Sequence, residues 1–273
     1  MRRSIFGNSR GFSLIELLIA LVVGGILIAA FYQSVISQQR TFTVQEQVVD
    51  TQQNVRIAMD PMALDIEMAG FGNVKDIIGF PGGVNGFTSI VTPGANTITV
   101  ITAGRQKILA DDGSIIVIQG INGTQLNLSH PTGEFNGEAH KYVSIGGLES
   151  FVVPQPAPKG TILRLDRGPK INPIGHCLYK IWAITYDVAD VDGRLVLRRN
   201  TNTGGSPDVM AEDIEMLQFK YYDANGAETA VAGNIRMVWA NLNARTAMAD
   251  PAYKTNGGFR KRAASSYFAI RNR

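Results

Sequence analysis

The stretch GFSLIELLIALVVGGILIAAFY, residues 11–32, decides the architecture of this 273-residue chain. From Gly11 to Gln39 the only charged side chain is Glu16. Between Phe12 and Tyr32, a run of 21 residues, Ser13 and Glu16 are the only plainly polar positions before Tyr32 itself. A helix of that length rises roughly 30 Å, the thickness of the hydrocarbon core of a bilayer. Arg2, Arg3 and Arg10 precede the run and no Asp or Glu does. Positive flanks stay cytoplasmic, so the remainder is expected on the outer side of the membrane. Residues 12–32 are therefore read as the transmembrane segment of an envelope protein.

Working outward, Glu16 separates three readings of this start. A cleaved secretory signal would have a basic head, an apolar stretch and small residues near the cut, here Ala29 and Ala30. An uncleaved signal anchor would look much the same. Neither has a use for a carboxylate, which costs about 2.5–3.5 kcal/mol near the centre of a membrane helix. Such a cost points to a function for the group.

The segment Gly11-Phe12-Ser13-Leu14-Ile15-Glu16-Leu17 resembles the processing site of type IV pilins and type II secretion pseudopilins. That pattern is a short basic leader ending in glycine, then Phe, three residues, Glu and an apolar run. The resemblance implies that a prepilin peptidase cuts between Gly11 and Phe12 and then methylates the new amino group of Phe12. It also implies that the amino-terminal helices pack together in an apolar filament centre, where a lone carboxylate is expensive. There the amine of a neighbouring Phe12 would pair with Glu16. Breaking a buried pair costs about 3–5 kcal/mol, so Glu16 is expected to set assembly register, with snorkelling to the interface as the alternative before assembly.

Beyond Tyr32 the chain turns polar but keeps a helical rhythm. Phe42, Val48/Val49, Val55, Met59, Met62, Ile66 and Ala69 recur at three, four or about seven residues, one apolar face of an amphipathic helix. Pro61 is expected to kink it or begin a new turn, and Gly70 with Gly72 to end it. The whole helix, 12–70, would extend on the order of 85 Å. Gly24-Gly25 reads as either a melting point or a close-packing point. For 40–69, packing on the protein's own head is favoured over a coiled coil, because charge pairing along the flanks is poor.

After Gly70 short alternating runs lie between turn residues: 96–102, 124–128, 161–166, 194–198, 216–222, 235–239 and 261–271. Leu217, Phe219 and Tyr221 share one strand face, and Ile235, Met237 and Trp239 are placed on one face of the next. Asn225-Gly226 between them is read as a hairpin turn, and 79–86 and 154–158 as loops. The fold expected is α+β: a leader (1–11), a long amino-terminal helix (12–70) and a mainly antiparallel β head (71–273).

Two further stretches narrow the resemblance. Residues 54–60 followed by Ala69-Gly70-Phe71-Gly72, and residues 211–222, resemble the helix end and a late strand of PilW-type minor pilins. The closing 269–272 fits PilW-type and J-type pseudopilins alike, while 73–175 carries no resemblance. This implies a minor pilin that primes pilus assembly, its partners being prepilin peptidase, other minor pilins, the major pilin, the inner-membrane assembly platform and, before assembly, the lipid bilayer. The alternatives are a J-type pseudopilin of a type II secretion system, or a helix-tethered periplasmic binding or adhesion module housed in 73–175.

The rest of the composition is quiet. Net charge is +3, and setting the three leader arginines aside leaves 23 basic and 23 acidic residues, so nucleic acid is not expected as a partner. Cys177 is the only cysteine, which excludes an internal disulfide. No nucleotide-loop, nucleophile-elbow or zinc-protease motif occurs, so neither catalysis nor a cofactor is expected. His130, His140, His176 and Cys177 lack paired zinc-ligand spacing. Asp187, Asp190, Asp192 and Gly193 fail the EF-hand register and are read as a plain turn rather than a calcium loop. Arg198-Arg199 and Arg260-Lys261-Arg262 are read as solvated surface.

Overall fold

The computed structural model describes residues 13–272. Helix α1 runs from Leu14 to Glu67 and the short helix α2 from Lys75 to Ile78. Thirteen strands follow: β1 Val91–Pro93, β2 Ile98–Lys107, β3 Ile118–Asn122, β4 Gln125–Thr132, β5 Tyr142–Ile145, β6 Glu149–Val152 and β7 Gly160–Arg164. The second half of the chain adds β8 Leu178–Val191, β9 Arg194–Asn200, β10 Asp208–Glu212, β11 Ile214–Tyr222, β12 Met237–Arg245 and β13 Lys261–Ala269. Every strand pairing is antiparallel. The fold is α+β, as the patterns lead one to expect.

Two compact units divide the chain between Val49 and Asp50. The first holds only α1 up to Val49. The second holds the last turns of α1 and all the strands. Its portion of α1 buries Val55, Ala58, Met59, Met62 and Ile66, each large apolar one contributing about 1.5–3 kcal/mol before entropy is counted. These residues are the expected apolar face, but its coverage starts at Thr51. In the first unit Phe42 is 71% exposed and Val49 49%, while Val48 is half-buried. Pro61 lies inside the helix. It withholds the N–H that the carbonyl of Ile57 would take, yet the helix continues, because Met62 and Ile66 on the next turn are fully buried.

The helix ends as its glycines suggest. Gly70 and Gly72 have φ of 86° and 93°, the left-handed region that costs other residues energy. At Gly70 a Cβ would lie 2.2 Å from the carbonyl oxygen of Asn272, and at Gly72 2.7 Å from Cβ of Ala103.

The largest sheet has seven strands and centres on β8, 14 residues long. One edge of β8 carries β2; the other carries β5 near its start and β9 near its end. On one face, Ile184 and Tyr186 sit opposite Val100 and Ile98, and Tyr186 meets α1 through Asp65. The sheet β11-β12-β13 joins the same core: Leu217, Phe219, Val238 and Leu242 cluster with Val55, Met59 and Ile66. A second core forms where β3-β4-β7 meets β5 and β6, around Ile118, Leu126, Phe135, Phe151 and Leu163.

All seven expected strands are present. Strands β1, β3, β5, β6, β8 and β10 are additional. β8 carries no alternating signal, because Leu178, Ile181, Ala183, Ile184 and Tyr186 are buried on both faces, which erases alternation. The inward face of β12 is corrected too: Val238, Ala240, Leu242 and Ala244 are buried, while Met237 and Trp239 lie on the other face. Ile235 is buried just before the strand, and in a period of two a single irregular step reverses every face. The Asn225-Gly226 turn closes, with Gly226 N–H donating to Asp223 O at 3.2 Å. Its return leg pairs only Glu228 with Tyr222, and a further stretch through a 3₁₀ turn at Ala232–Asn234 leads into β12.

Candidate functional site

Ser13 and Glu16 open α1. The Ser13 N–H donates to Glu16 Oε2 at 3.0 Å, and the Leu17 N–H donates to Ser13 O at 3.1 Å. Helix starts leave backbone N–H groups without partners, and a glutamate three residues after a capping serine folds back onto one of them. The carboxylate also lies where the helix dipole favours negative charge. Glu16 therefore has a local partner within its own subunit. That role was readable as Ser-x-x-Glu at 13–16 but was overshadowed by the position of the carboxylate in an apolar run. Gly11 and Phe12, the expected cleavage and methylation positions, lie outside the described residues.

From Leu14 to Tyr32 every large apolar side chain is at least half exposed. They point in all directions around the helix rather than forming a stripe. A helix apolar all round needs an apolar environment on every side, and this one is long and apolar enough to cross a membrane. Gly24 and Gly25 remain helical, and a side chain at either would meet nothing within 4 Å.

An apolar, membrane-length helix that opens on a glutamate cap, directly after Gly11-Phe12, joins geometry to motif. Residues 7–32 match the family model described as the prokaryotic N-terminal methylation motif. This chain carries the prepilin methylation motif. The match supports a type IV pilin-like family, whose members are structural subunits. The motif implies processing by a prepilin peptidase and assembly with other pilins. Together with the apolar helix, it fits a membrane-anchored pilin before assembly. No curated protein and no solved structure matches the chain.

Within the second unit, the last turns of α1 are locked to the strands by a group that no local pattern in the sequence marks. Asp65, 4% exposed, accepts from the Tyr186 hydroxyl at 2.7 Å and from Arg199 Nε at 2.9 Å. Burial, reinforced by the charge of Asp65, holds the Tyr186 phenol far above its usual range. Burial opposes the charge on Arg199, but Asp65 and Tyr186 outweigh it and hold the guanidinium above its usual value. Arg199 is therefore no solvated surface residue. Arg198 is also tied down, with Nε and Nη2 3.1 and 2.6 Å from Asp187 Oδ1 and Oδ2. Arg260 meets Asp250 at 3.1 Å and Lys261 meets Glu215 at 2.6 Å.

The other positions singled out in the sequence are dispersed. Asp187 lies within β8, and Asp192-Gly193, with φ of 54° and 80°, form the two-residue turn between β8 and β9. The Gly193 N–H donates to Asp190 Oδ1 at 2.8 Å, so this is the plain hairpin turn. His130 lies beside Ser129 and Asp112, His140 beside Lys180 and Glu134, and Cys177 bridges to Val117. Among the described residues no group of three His, Cys, Asp or Glu is placed to hold a metal ion.

Proposed function

We propose that this chain is a PilW-type minor pilin, cut after Gly11, methylated at Phe12 and built into a priming complex that starts a type IV pilus. The observation that carries this reading is the methylation motif at 7–32 continuing into an apolar helix that lacks cover in the single subunit. Such a surface is stable in lipid or against other helices. In a filament the methylated amine of a neighbouring Phe12 would replace the Ser13 N–H as the partner of Glu16. A subunit out of register would leave that carboxylate unpaired in an apolar centre. Other minor pilins, the major pilin and the inner-membrane assembly platform are the partners this role requires, with the amino terminus cytoplasmic before assembly. A preassembled primer spares the first helices the cost of meeting without neighbours.

The test is deletion of the gene with filaments counted by electron microscopy, joined to intact-mass analysis of the envelope protein. Few or no filaments, and a mature chain of 262 residues (the 273 less an 11-residue leader) bearing one methyl group, are expected. Normal filament numbers with loss of type II secretion would move the assignment to a J-type pseudopilin, which the resemblance at 269–272 also fits. An amino terminus near residue 31 would show an ordinary secretory signal.

A further inference from the structure

Strand β7 is an edge. In the sheet β3-β4-β7 it pairs only with β4, with Leu163 opposite Leu126 and Ile162 opposite Asn127. Just beyond, the Leu165 N–H donates to Thr124 O at 2.9 Å. Antiparallel pairs alternate, so the backbone groups of Leu163 face β4 and those of Ile162 and Arg164 face away. At its far end that outer side is met by β6, where the Asp166 N–H donates to Val152 O at 2.9 Å; beside Ile162 and Arg164, among the described residues, no strand pairs with it.

The nearest segment that could cover it is built not to. Residues 153–159 lead from β6 back to β7, and Pro154, Pro156 and Pro158 alternate along them. Proline has no N–H to offer a neighbouring strand. The Gln155 side chain and the Ala157 N–H are bonded to the 135–137 turn and to Val153. Gln155 Nε2 donates to the carbonyls of Phe135 and Val153 at 2.8 and 3.0 Å, and its Oε1 accepts the Gly137 N–H at 2.7 Å. The Ala157 N–H donates to Asn136 Oδ1 at 3.3 Å. Between this strap and β7 a groove of about 680 Å³ stays open. Its floor includes the buried Phe135, Val153 and Leu163, and Ile162 stands 57% exposed on its open side.

Edges with exposed apolar residues are usually blocked by charge, bulge or cover; here the cover is held back. Lys159 and Arg164 line the groove and no carboxylate does. Lys159 is paired with Asp111, whereas Arg164 has no acidic partner among the described residues. We propose that β7 and the proline strap form a docking site for an extended acidic segment of another protein, added as a strand beside Ile162 and Arg164. Main-chain bonds to the outward groups of those two residues would hold it. Apolar side chains would enter the groove, and an Asp or Glu would meet Arg164. This places a partner-binding function in the region that carries no family resemblance, and it holds for a pilus or a secretion system alike.

The test uses the full chain in detergent micelles and a fluorescein-labelled, acetylated heptapeptide of alternating valine and glutamate, read by anisotropy. Saturable binding is expected, at least tenfold tighter than that of the valine–lysine analogue. A peptide N-methylated at alternate residues, unable to donate main-chain bonds, should bind at least tenfold more weakly. Ile162→Pro removes one outward N–H and leaves the β4 side intact, and should cost tenfold or more. Arg164→Glu should reverse the preference between the two peptides. Absence of saturable binding, equal affinity for both charges, or indifference to N-methylation would overturn the proposal. Concentration-dependent dimers that vanish in Arg164→Glu would also overturn it, by giving the edge to a second copy of this chain.

Discussion

The hydroxyl of Tyr186, on β8, donates a 2.7 Å hydrogen bond to Oδ2 of Asp65, on α1, 121 residues away in the chain. Arg199, on β9, reaches the same oxygen at 2.9 Å. One carboxylate thereby ties the helix to two adjacent strands of the large sheet. Replacing Asp65 leaves the Arg199 guanidinium without its counter-charge in a mostly buried place.

Asp65→Ala is expected to destabilise the head by about 3–5 kcal/mol, as loss of one partner of a buried pair does. Tyr186→Phe removes one hydrogen bond to a charged group and should cost about 1.5–3 kcal/mol. Urea unfolding of the head and a double-mutant cycle would check both. Additive losses in the cycle would show that the two residues act separately.

Alkaline pH probes the same site. Burial raises the pKa of Tyr186 and of Tyr221, whose hydroxyl donates to Gly94 O at 2.8 Å. Both phenols are neutral in folded and unfolded chains below about pH 10. Above it the unfolded chain releases protons that the folded chain retains, so unfolding is favoured. Stability should be flat up to about pH 9.5 and then fall by up to about 1.4 kcal/mol per pH unit for each tyrosine. Urea midpoints measured between pH 8 and 11.5 give the result, and Tyr186→Phe should make the fall shallower without abolishing it, since Tyr179 and Tyr222 are raised as well.

Glu16 caps the helix through the Ser13 N–H and is proposed to set assembly register, and two substitutions divide these roles. Gln at this position can still accept from the Ser13 N–H, whereas Ala forfeits a cap of about 1 kcal/mol. If assembly depends on the charge, Glu16→Gln and Glu16→Ala should both reduce incorporation into sheared filaments at least tenfold, with cleavage after Gly11 unaffected. Near-normal incorporation of the Gln variant alone would make Glu16 a helix cap and nothing more. Immunoblots of filament and membrane fractions supply the measurement.

Thr51 is the first buried residue of α1 and the compact unit that holds the head begins at Asp50, so residues 33–49 should add little to its stability. Versions of the protein beginning at Gln33 and at Asp50 should both be soluble and show mixed helix and sheet by circular dichroism. Their unfolding free energies should agree within about 0.5 kcal/mol. A loss of several kcal/mol in the shorter one would mean that Phe42 and its neighbours contribute to the head after all.

What the sequence determined by itself is local in origin. A membrane-length apolar run, the glycine–phenylalanine junction and a glutamate four residues later can be read along one strand of text, because each depends on spacing within a few helical turns. So can the helix end at Gly70 and Gly72 and the strands exposed on one face, such as β11, where Leu217, Phe219 and Tyr221 do turn inward. Only the tertiary structure decided the rest. β8 is covered on both faces and loses its alternation, and an irregular step before β12 reverses which residues face inward. The bond between Asp65 and Tyr186 joins residues whose separation in sequence carries no period at all. The open edge of β7 likewise depends on where the proline strap is tied. Such features arise from what packs against an element, and propensity along the chain holds no record of its neighbours.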